Sequence, residues 1–211
     1  MASVKKPNAD KALMNLVGLL NDGKIPDFLR LDVIMAADER GADVPEIAKE
    51  LKAYTDKFDP KDPLAVHRDA LVGGNAERGQ KLFEQRAALG CVRCHQAGQE
   101  GGVVGPDLAK IGAEQNREYI LESIVLPNKA IAKGFDTLVI ITNDGRIVTG
   151  VTKQKTDEKV ILMTAEGKLV TVDRDDIDEV SRGKSAMPDD LLTHLSPFDL
   201  RDLMEYLSTL K

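Results

Sequence analysis

Both cysteines of this 211-residue chain and one of its three histidines fall within five consecutive positions, Cys91-Val92-Arg93-Cys94-His95. This clustering constrains the chain, because thiol and imidazole groups are the side chains that proteins use to hold transition metals and metal-bearing prosthetic groups. Two cysteines are too few for the disulfide-dense scaffold of small secreted domains. The spacing C-x-x-C-H is the pattern for covalent attachment of a c-type haem.

The spacing of the pentapeptide suits this attachment for a chemical reason. Each thiol adds to one haem vinyl group, and two intervening residues let both sulfurs reach the same edge of the ring. The histidine that follows then lies under the iron and supplies an axial imidazole ligand. The sequence therefore predicts one covalent haem c on Cys91 and Cys94, with His95 as a metal ligand.

Three other interpretations of the motif remain open at this point. A zinc site needs about four ligands, and the remaining histidines, His67 and His194, are not paired with further candidates. A thioredoxin-like dithiol follows a strand in a βαβ unit, whereas this motif follows a predicted helix. Two buried structural cysteines are the third alternative.

Composition excludes several other classes of protein. A formal net charge of −6 argues against nucleic-acid binding, which usually brings a basic surface. No apolar run approaches the ~20 residues of a membrane-spanning helix, so we predict no transmembrane segment in this chain. Leu13, Leu16, Val17 and Leu20 recur at helical spacing and predict an amphipathic N-terminal helix rather than an export signal.

The chain divides into segments of different character. Residues 1–63 are predicted to form a short helical array that ends in a linker rich in proline and aspartate. Residues 64–134 are predicted to be mainly helical. Residues 135–182 contain short β-favouring runs separated by turn signals such as Asn143-Asp144-Gly145, which predicts a small antiparallel meander or barrel of four or five strands. Helix returns at Ser196-Pro197, a favourable helix start.

Two predicted helices, one before and one after the β-favouring residues 135–182, carry the residues expected of a helix crossing. Gly79 and Phe83 lie on a helix predicted over residues 75–88, and Tyr206 lies on a helix predicted over residues 197–210. In c-type cytochromes the first and last helices cross at a glycine with an aromatic side chain from each, so we expect Gly79 to permit the approach.

Met187 is the predicted sixth ligand among six methionines. It lies in the loop Ser185-Ala186-Met187-Pro188, and a thioether on a stiff loop is the usual second axial ligand of a class I cytochrome c. Met187 is far from His95 in sequence, but the β-rich stretch 135–182 accounts for about half of the separation. We therefore predict a haem domain formed by residues 64–134 and 183–211 with the β module inserted. His194 and then His67 are the weaker ligand candidates.

Taken together, these features resemble the c-type haem-binding domain of the Planctomycetes–Verrucomicrobia type. The resemblance covers about two thirds of the chain, from Gly73 almost to the C-terminus. It rests on Gly79-Gln80-Lys81-Leu82-Phe83, the C-x-x-C-H motif, Val104-Gly105-Pro106-Asp107-Leu108, Ile111-Gly112, Leu121-Glu122-Ser123-Ile124, Pro127-Asn128, Gly134-Phe135, Asp144-Gly145, Gly150, Asp176-Ile177, Met187-Pro188, Asp202-Leu203 and Tyr206-Leu207.

The resemblance implies His95 and Met187 as axial ligands and electron transfer as the role. In class I cytochromes c a proline just past the motif accepts a hydrogen bond from the ligating histidine, and Pro106 stands at that position. After Ile111-Gly112 the family tends to carry a basic residue, whereas this chain has Glu114 nearby and Arg117 following. Arg117 is the candidate for pairing with a haem propionate, and the alternative is a solvated helix arginine. The resemblance also implies that the N-terminal helices form the tail of a helical array in a longer polypeptide, after a sugar-dehydrogenase-like propeller.

The fold class is therefore mainly α: a cytochrome c fold interrupted by the β module and preceded by the helical array. We predict an electron carrier rather than an enzyme, with a redox protein or a fused dehydrogenase domain as partner. Its expected location is the periplasm or cell envelope, where such haem attachment occurs in bacteria. The alternatives are a peroxidase-like enzyme with an open sixth site, and a gas or redox sensor with a labile Met187. Fast binding of cyanide or carbon monoxide would favour the enzyme.

Overall fold

The computed structural model describes residues 6–98 and 101–211 of the chain. The N-terminal part contains helices α1 (Lys6–Asn21), α2 (Asp27–Gly41) and α3 (Pro45–Thr55), which pack around their own hydrophobic cluster. Helices predicted in this segment are therefore present, and residues 1–5 of the predicted array lie outside the described residues. The most buried members of the cluster are Val17, Leu20, Ala37 and Ile47.

Short helices and loops follow up to the sheet, and the chain ends in a longer helix. The Asn75 side chain caps the helix after it by accepting from the N–H of Arg78, and Ser196 and Asp199 form a reciprocal capping box at the last helix. The elements are a 3₁₀ turn (Ala65–Ala70), α4 (Ala76–Gln85), α5 (Cys91–Cys94), α6 (Ile111–Glu114), α7 (Arg117–Val125), a second 3₁₀ turn (Leu191–His194) and α8 (Pro197–Thr209).

Helices α4 and α8 cross at Gly79, as predicted. A Cβ atom added to Gly79 would lie 2.0 Å from the carbonyl oxygen of Asp202, so only glycine fits at the crossing. The rings of Phe83 and Tyr206 pack beside it with their centroids 5.6 Å apart. The buried Asp202 carboxylate accepts a hydrogen bond of 2.7 Å from the backbone N–H of Asn75, which ties the start of α4 to α8.

Within the described residues, the strands form one antiparallel sheet of five in the order β4-β3-β2-β1-β5. This confirms the predicted strand content and its antiparallel arrangement. The Asp144-Gly145 signal marks the β1–β2 hairpin, where Gly145 has φ +82°. The strands are β1 (Thr137–Thr142), β2 (Ile147–Lys155), β3 (Lys159–Met163), β4 (Leu169–Asp173) and β5 (Ile177–Arg182), with a 3₁₀ turn (Arg174–Asp176) between the last two. The sheet has its own cluster of buried side chains: Ile140, Val160, Leu162 and Val172.

A larger hydrophobic cluster joins the helices, and the N-terminal segment contributes to it. Leu31 of α2 is buried with Phe83 of α4 and with residues of α7 and α8, and Met35 of α2 packs against the same cluster. The segment predicted as a separate N-terminal unit thus shares a core with the helices around the C-x-x-C-H motif. Among the described residues, no helix combines the length and the hydropathy needed to cross a membrane.

The crossing predicts a large difference between two glycine substitutions. We expect Gly79→Ala to lower the free energy of unfolding by about 2–3 kcal/mol, because the added methyl group meets main chain that cannot move aside. Gly18→Ala, within α1, is the control: its added methyl group has nothing within 4 Å, and we expect a gain of about 0.5–1 kcal/mol from helix propensity. Denaturant unfolding measures both, and a Gly79→Ala chain as stable as the parent would contradict the crossing.

Candidate haem-binding site

The C-x-x-C-H motif forms one helical turn. Gly90 precedes it in the left-handed conformation at φ +60°, and α5 spans Cys91–Cys94. Because residues three apart lie on the same face of a helix, both thiols project from one side of α5. His95 then leaves the helix with an extended backbone, at φ −115° and ψ 138°, while its N–H still donates to the carbonyl of Cys91.

The chain after the motif folds back along α5 and is fixed to it by backbone hydrogen bonds. Gly102 N–H donates to the carbonyl of Val92 at 2.8 Å, and Gly105 N–H donates to the carbonyl of Cys94 at 2.7 Å. This approach requires glycine, since a Cβ atom on Gly102 would lie 1.9 Å from the carbonyl oxygen of Arg93. Gly102 and Gly105 therefore hold this part of the chain against the motif.

The same part of the chain determines the orientation of the His95 imidazole. The structure brings His95 and Pro106 together as predicted, with Nδ1 2.8 Å from the Pro106 carbonyl oxygen. A carbonyl only accepts hydrogen bonds, so Nδ1 carries the proton and Nε2 carries the lone pair. Gly105 lies against the ring, where an added Cβ atom would be 2.5 Å from Cε1.

Burial determines the protonation states of the motif. It lowers the pKa of His95, an effect opposed in part by the hydrogen bond to Pro106, so the imidazole is neutral at neutral pH. Burial raises the pKa of the Cys91 thiol to about 11 and also raises that of Cys94. These raised values argue against a thioredoxin-like dithiol, which needs a lowered thiol pKa. The motif also follows a helix and a turn, whereas such a dithiol follows a strand.

The methionine loop, residues 183–190, reaches the same region as the motif. Met187 and Cys91 both pack against the large helical cluster. Ala186 and Cys94 both pack against a smaller cluster made of Val104, Val151 and Met163. The loop between β5 and the last 3₁₀ turn therefore packs against the same hydrophobic clusters as the two cysteines, although it is distant from them in sequence.

The other candidate residues are placed as follows. The guanidinium of Arg117 donates to the carbonyl of Leu71 at 2.6 Å and pairs with the Glu205 carboxylate at 3.0 Å. Arg117 thus has partners within the protein, and its role toward a propionate stays a prediction. His194 is exposed, and His67 is half-buried with a pKa lowered by burial.

Three residues of this region received no role from the sequence, although Gly105 and Asn128 lie in motifs that carry the resemblance. Gly102 and Gly105 form the close contacts described above, and Asn128 binds the methionine loop by accepting from the N–H of Ser185 at 2.8 Å. The sequence does carry one signal for Gly105: if Pro106 holds the imidazole through its carbonyl, the residue before it must pass close to the ring.

Comparison with known families gives one match. A family model described as Cytochrome c matches residues 76–154, which begin at α4, include the C-x-x-C-H motif and Pro106, and end within β2 before Met187. A search of curated proteins found no significant match. The family match supports a cytochrome c domain in this chain, and with it a haem c electron-transfer protein.

Proposed function

We propose that the chain carries a monohaem c-type cytochrome domain that transfers single electrons. Cys91 and Cys94 attach the haem covalently, and His95 and Met187 are the axial ligands. The observation that carries the proposal is the His95 imidazole, held by the Pro106 carbonyl one residue after two thiols on a single helical turn.

The residues of the site fit a haem in their donors and in their surroundings. A neutral imidazole, two thiols and a thioether are the groups that attachment and ligation require. When bound, the haem supplies a one-electron iron couple, and the protein sets its potential through ligands and burial. The residues expected to line its pocket are buried in the large helical cluster or pack against it: Ile120, Ile124 and Leu203 are members, and Leu108 and Ile111 pack against it.

His95 is prepared for ligation before any metal binds. The hydrogen bond from Nδ1–H to Pro106 selects the tautomer with its lone pair on Nε2, and it makes the imidazole a stronger donor. Gly105 leaves the space that the ring occupies, because any side chain at this position would begin 2.5 Å from Cε1. The ligand therefore loses little rotational freedom on binding.

Met187 is proposed as the second ligand because its loop, which is distant from the motif in sequence, packs against the same hydrophobic clusters as the cysteines. Its packing against the cluster that contacts Cys91 supports this assignment. Thioether ligation raises the reduction potential and closes the sixth position, which favours electron transfer over peroxidase chemistry. Pro188 restricts the backbone of the residue before it, Met187 itself.

We also propose that the sheet is an insertion in the cytochrome fold. The packing of α4 on α8 supports this division, because it joins residues 64–134 to residues 183–211 in one helical domain. The sheet between these two segments has its own hydrophobic cluster. On this proposal the domain is of the Planctomycetes–Verrucomicrobia type. The expected location is the periplasm or cell envelope, and the expected partner is a redox protein or a fused dehydrogenase domain.

The ligand assignment predicts the effect of replacing the thioether. We expect Met187→Leu to lose the methionine–iron charge-transfer absorption of the ferric protein and to lower its reduction potential, because leucine fills a similar volume without a sulfur lone pair. Met35→Leu is the matched control, since Met35 packs against the same cluster from α2 and its spectrum should not change. A Met187→Leu protein with the parent's ferric spectrum would contradict the assignment.

The orientation of His95 predicts a different effect from Gly105→Ala. The new methyl group would displace the imidazole, so we expect the ferric spectrum to lose its low-spin character while the mass of the denatured protein still includes the haem. Attachment should persist because the two thioethers do not involve the loop. Gly18→Ala is the control. A Gly105→Ala protein with unchanged axial ligation would show that the contact does not position the ring.

A further inference from the structure

We propose that Asn128 is the positioning residue for the sixth ligand: its carboxamide holds the methionine loop closed so that Met187 stays on the iron. This inference rests on the proposed function, because it requires Met187 as a ligand. Asn128 does not belong to the methionine loop but lies in the turn that follows α7.

The Asn128 side chain is presented by a rigid turn. Helix α7 ends at Val125, and Leu126-Pro127-Asn128-Lys129 forms a turn in which the Lys129 N–H donates to the carbonyl of Leu126 at 2.9 Å. Proline presets the backbone at the second position of such a turn, and asparagine is favoured among turn residues. Pro127 is buried, and α7 is anchored through Ile120, Leu121 and Ile124.

From this turn a chain of hydrogen bonds leads to Met187. Asn128 Oδ1 accepts from the backbone N–H of Ser185 at 2.8 Å. The Ser185 Oγ in turn accepts from the backbone N–H of Met187 at 3.2 Å. The main chain is therefore fixed at residues 185 and 187, which leaves Met187 little freedom to move away from the cluster.

The other side of the loop offers less support. Residues Lys184, Ser185 and Ala186 border an open cleft of about 550 Å³, whose far wall is formed by β2, β3 and the residues after β3. The ion pair between Lys184 and Asp189 is exposed, with a separation of 3.4 Å, and such pairs contribute little. Ala186 still packs against Val151 and Met163 on that side, so the Asn128 bond acts at Ser185, which borders the open cleft.

The test uses the full chain with its haem attached and compares Asn128→Ala, Asn128→Asp and Ser185→Ala. The rate at which imidazole binds to the ferric haem reports how often Met187 leaves the iron. We expect Asn128→Ala to raise this rate about fivefold, the factor that one hydrogen bond of about 1 kcal/mol contributes. Asn128→Asp keeps the acceptor oxygen and should restore the parent rate, while Ser185→Ala should raise it.

A matched control separates positioning from general stability. Asn143 makes a similar hydrogen bond in the sheet, donating from Nδ2 to the carbonyl of Asp175 at 2.7 Å, so Asn143→Ala removes the same kind of bond away from the loop. We expect its imidazole rate to match that of the parent. If Asn128→Ala does not fold, the comparison of Asn128→Asp with Ser185→Ala still decides the outcome.

The results distinguish this proposal from the function on which it rests. A parent protein without the methionine–iron charge-transfer band would overturn the ligand assignment itself. A parent with that band, together with Asn128→Ala and Ser185→Ala rates equal to the parent rate, would overturn the positioning role alone. A fivefold increase that Asn128→Asp reverses and Asn143→Ala lacks would support it.

Discussion

The contact between the His95 imidazole and the loop that follows it is the interaction on which the site depends. One main-chain segment both orients the ring, through the Pro106 carbonyl, and packs against it, through Gly105. The segment reaches this position because glycine at residue 102 lets it pass within hydrogen-bond distance of α5. A single short loop thus determines the tautomer and the direction of the imidazole.

The remaining parts of the domain bring sequence-distant segments together around the large helical cluster. The crossing at Gly79 joins α4, which leads into the motif, to α8, which follows the methionine loop. Helix α7 packs against the same cluster and presents Asn128 to the loop. Burial keeps the imidazole neutral and the thiols protonated, so the uncharged forms of all three side chains are favoured before the haem is attached.

Local patterns predicted much of this structure. The C-x-x-C-H spacing, the Ser196-Pro197 helix start and the Asp144-Gly145 turn each depend on a few adjacent residues, and each lies where the sequence indicates. The helix before the motif is shorter than predicted and ends at Gln85, because Arg86 adopts an extended backbone. That end depends on how the chain turns toward α5, which helical periodicity does not encode.

Other features depend on contacts between distant segments and could not be predicted from one sequence. Arg117 pairs with Glu205, which is 88 positions away, and Asn128 binds Ser185, which is 57 positions away. Leu31 lies in the cluster that packs around α8, so the N-terminal segment is more closely joined to the helical domain than its linker suggested. In each case the residue type was compatible with the contact, but the partner was decided by tertiary packing.

The central claim is a covalently attached haem with one imidazole and one thioether ligand. Near-infrared magnetic circular dichroism of the ferric protein tests it most directly, because the charge-transfer energy of low-spin iron depends on the pair of axial ligands. His95 and Met187 together predict low-spin iron with the band of histidine–methionine ligation. High-spin iron, or the band of two nitrogen ligands, would contradict the claim.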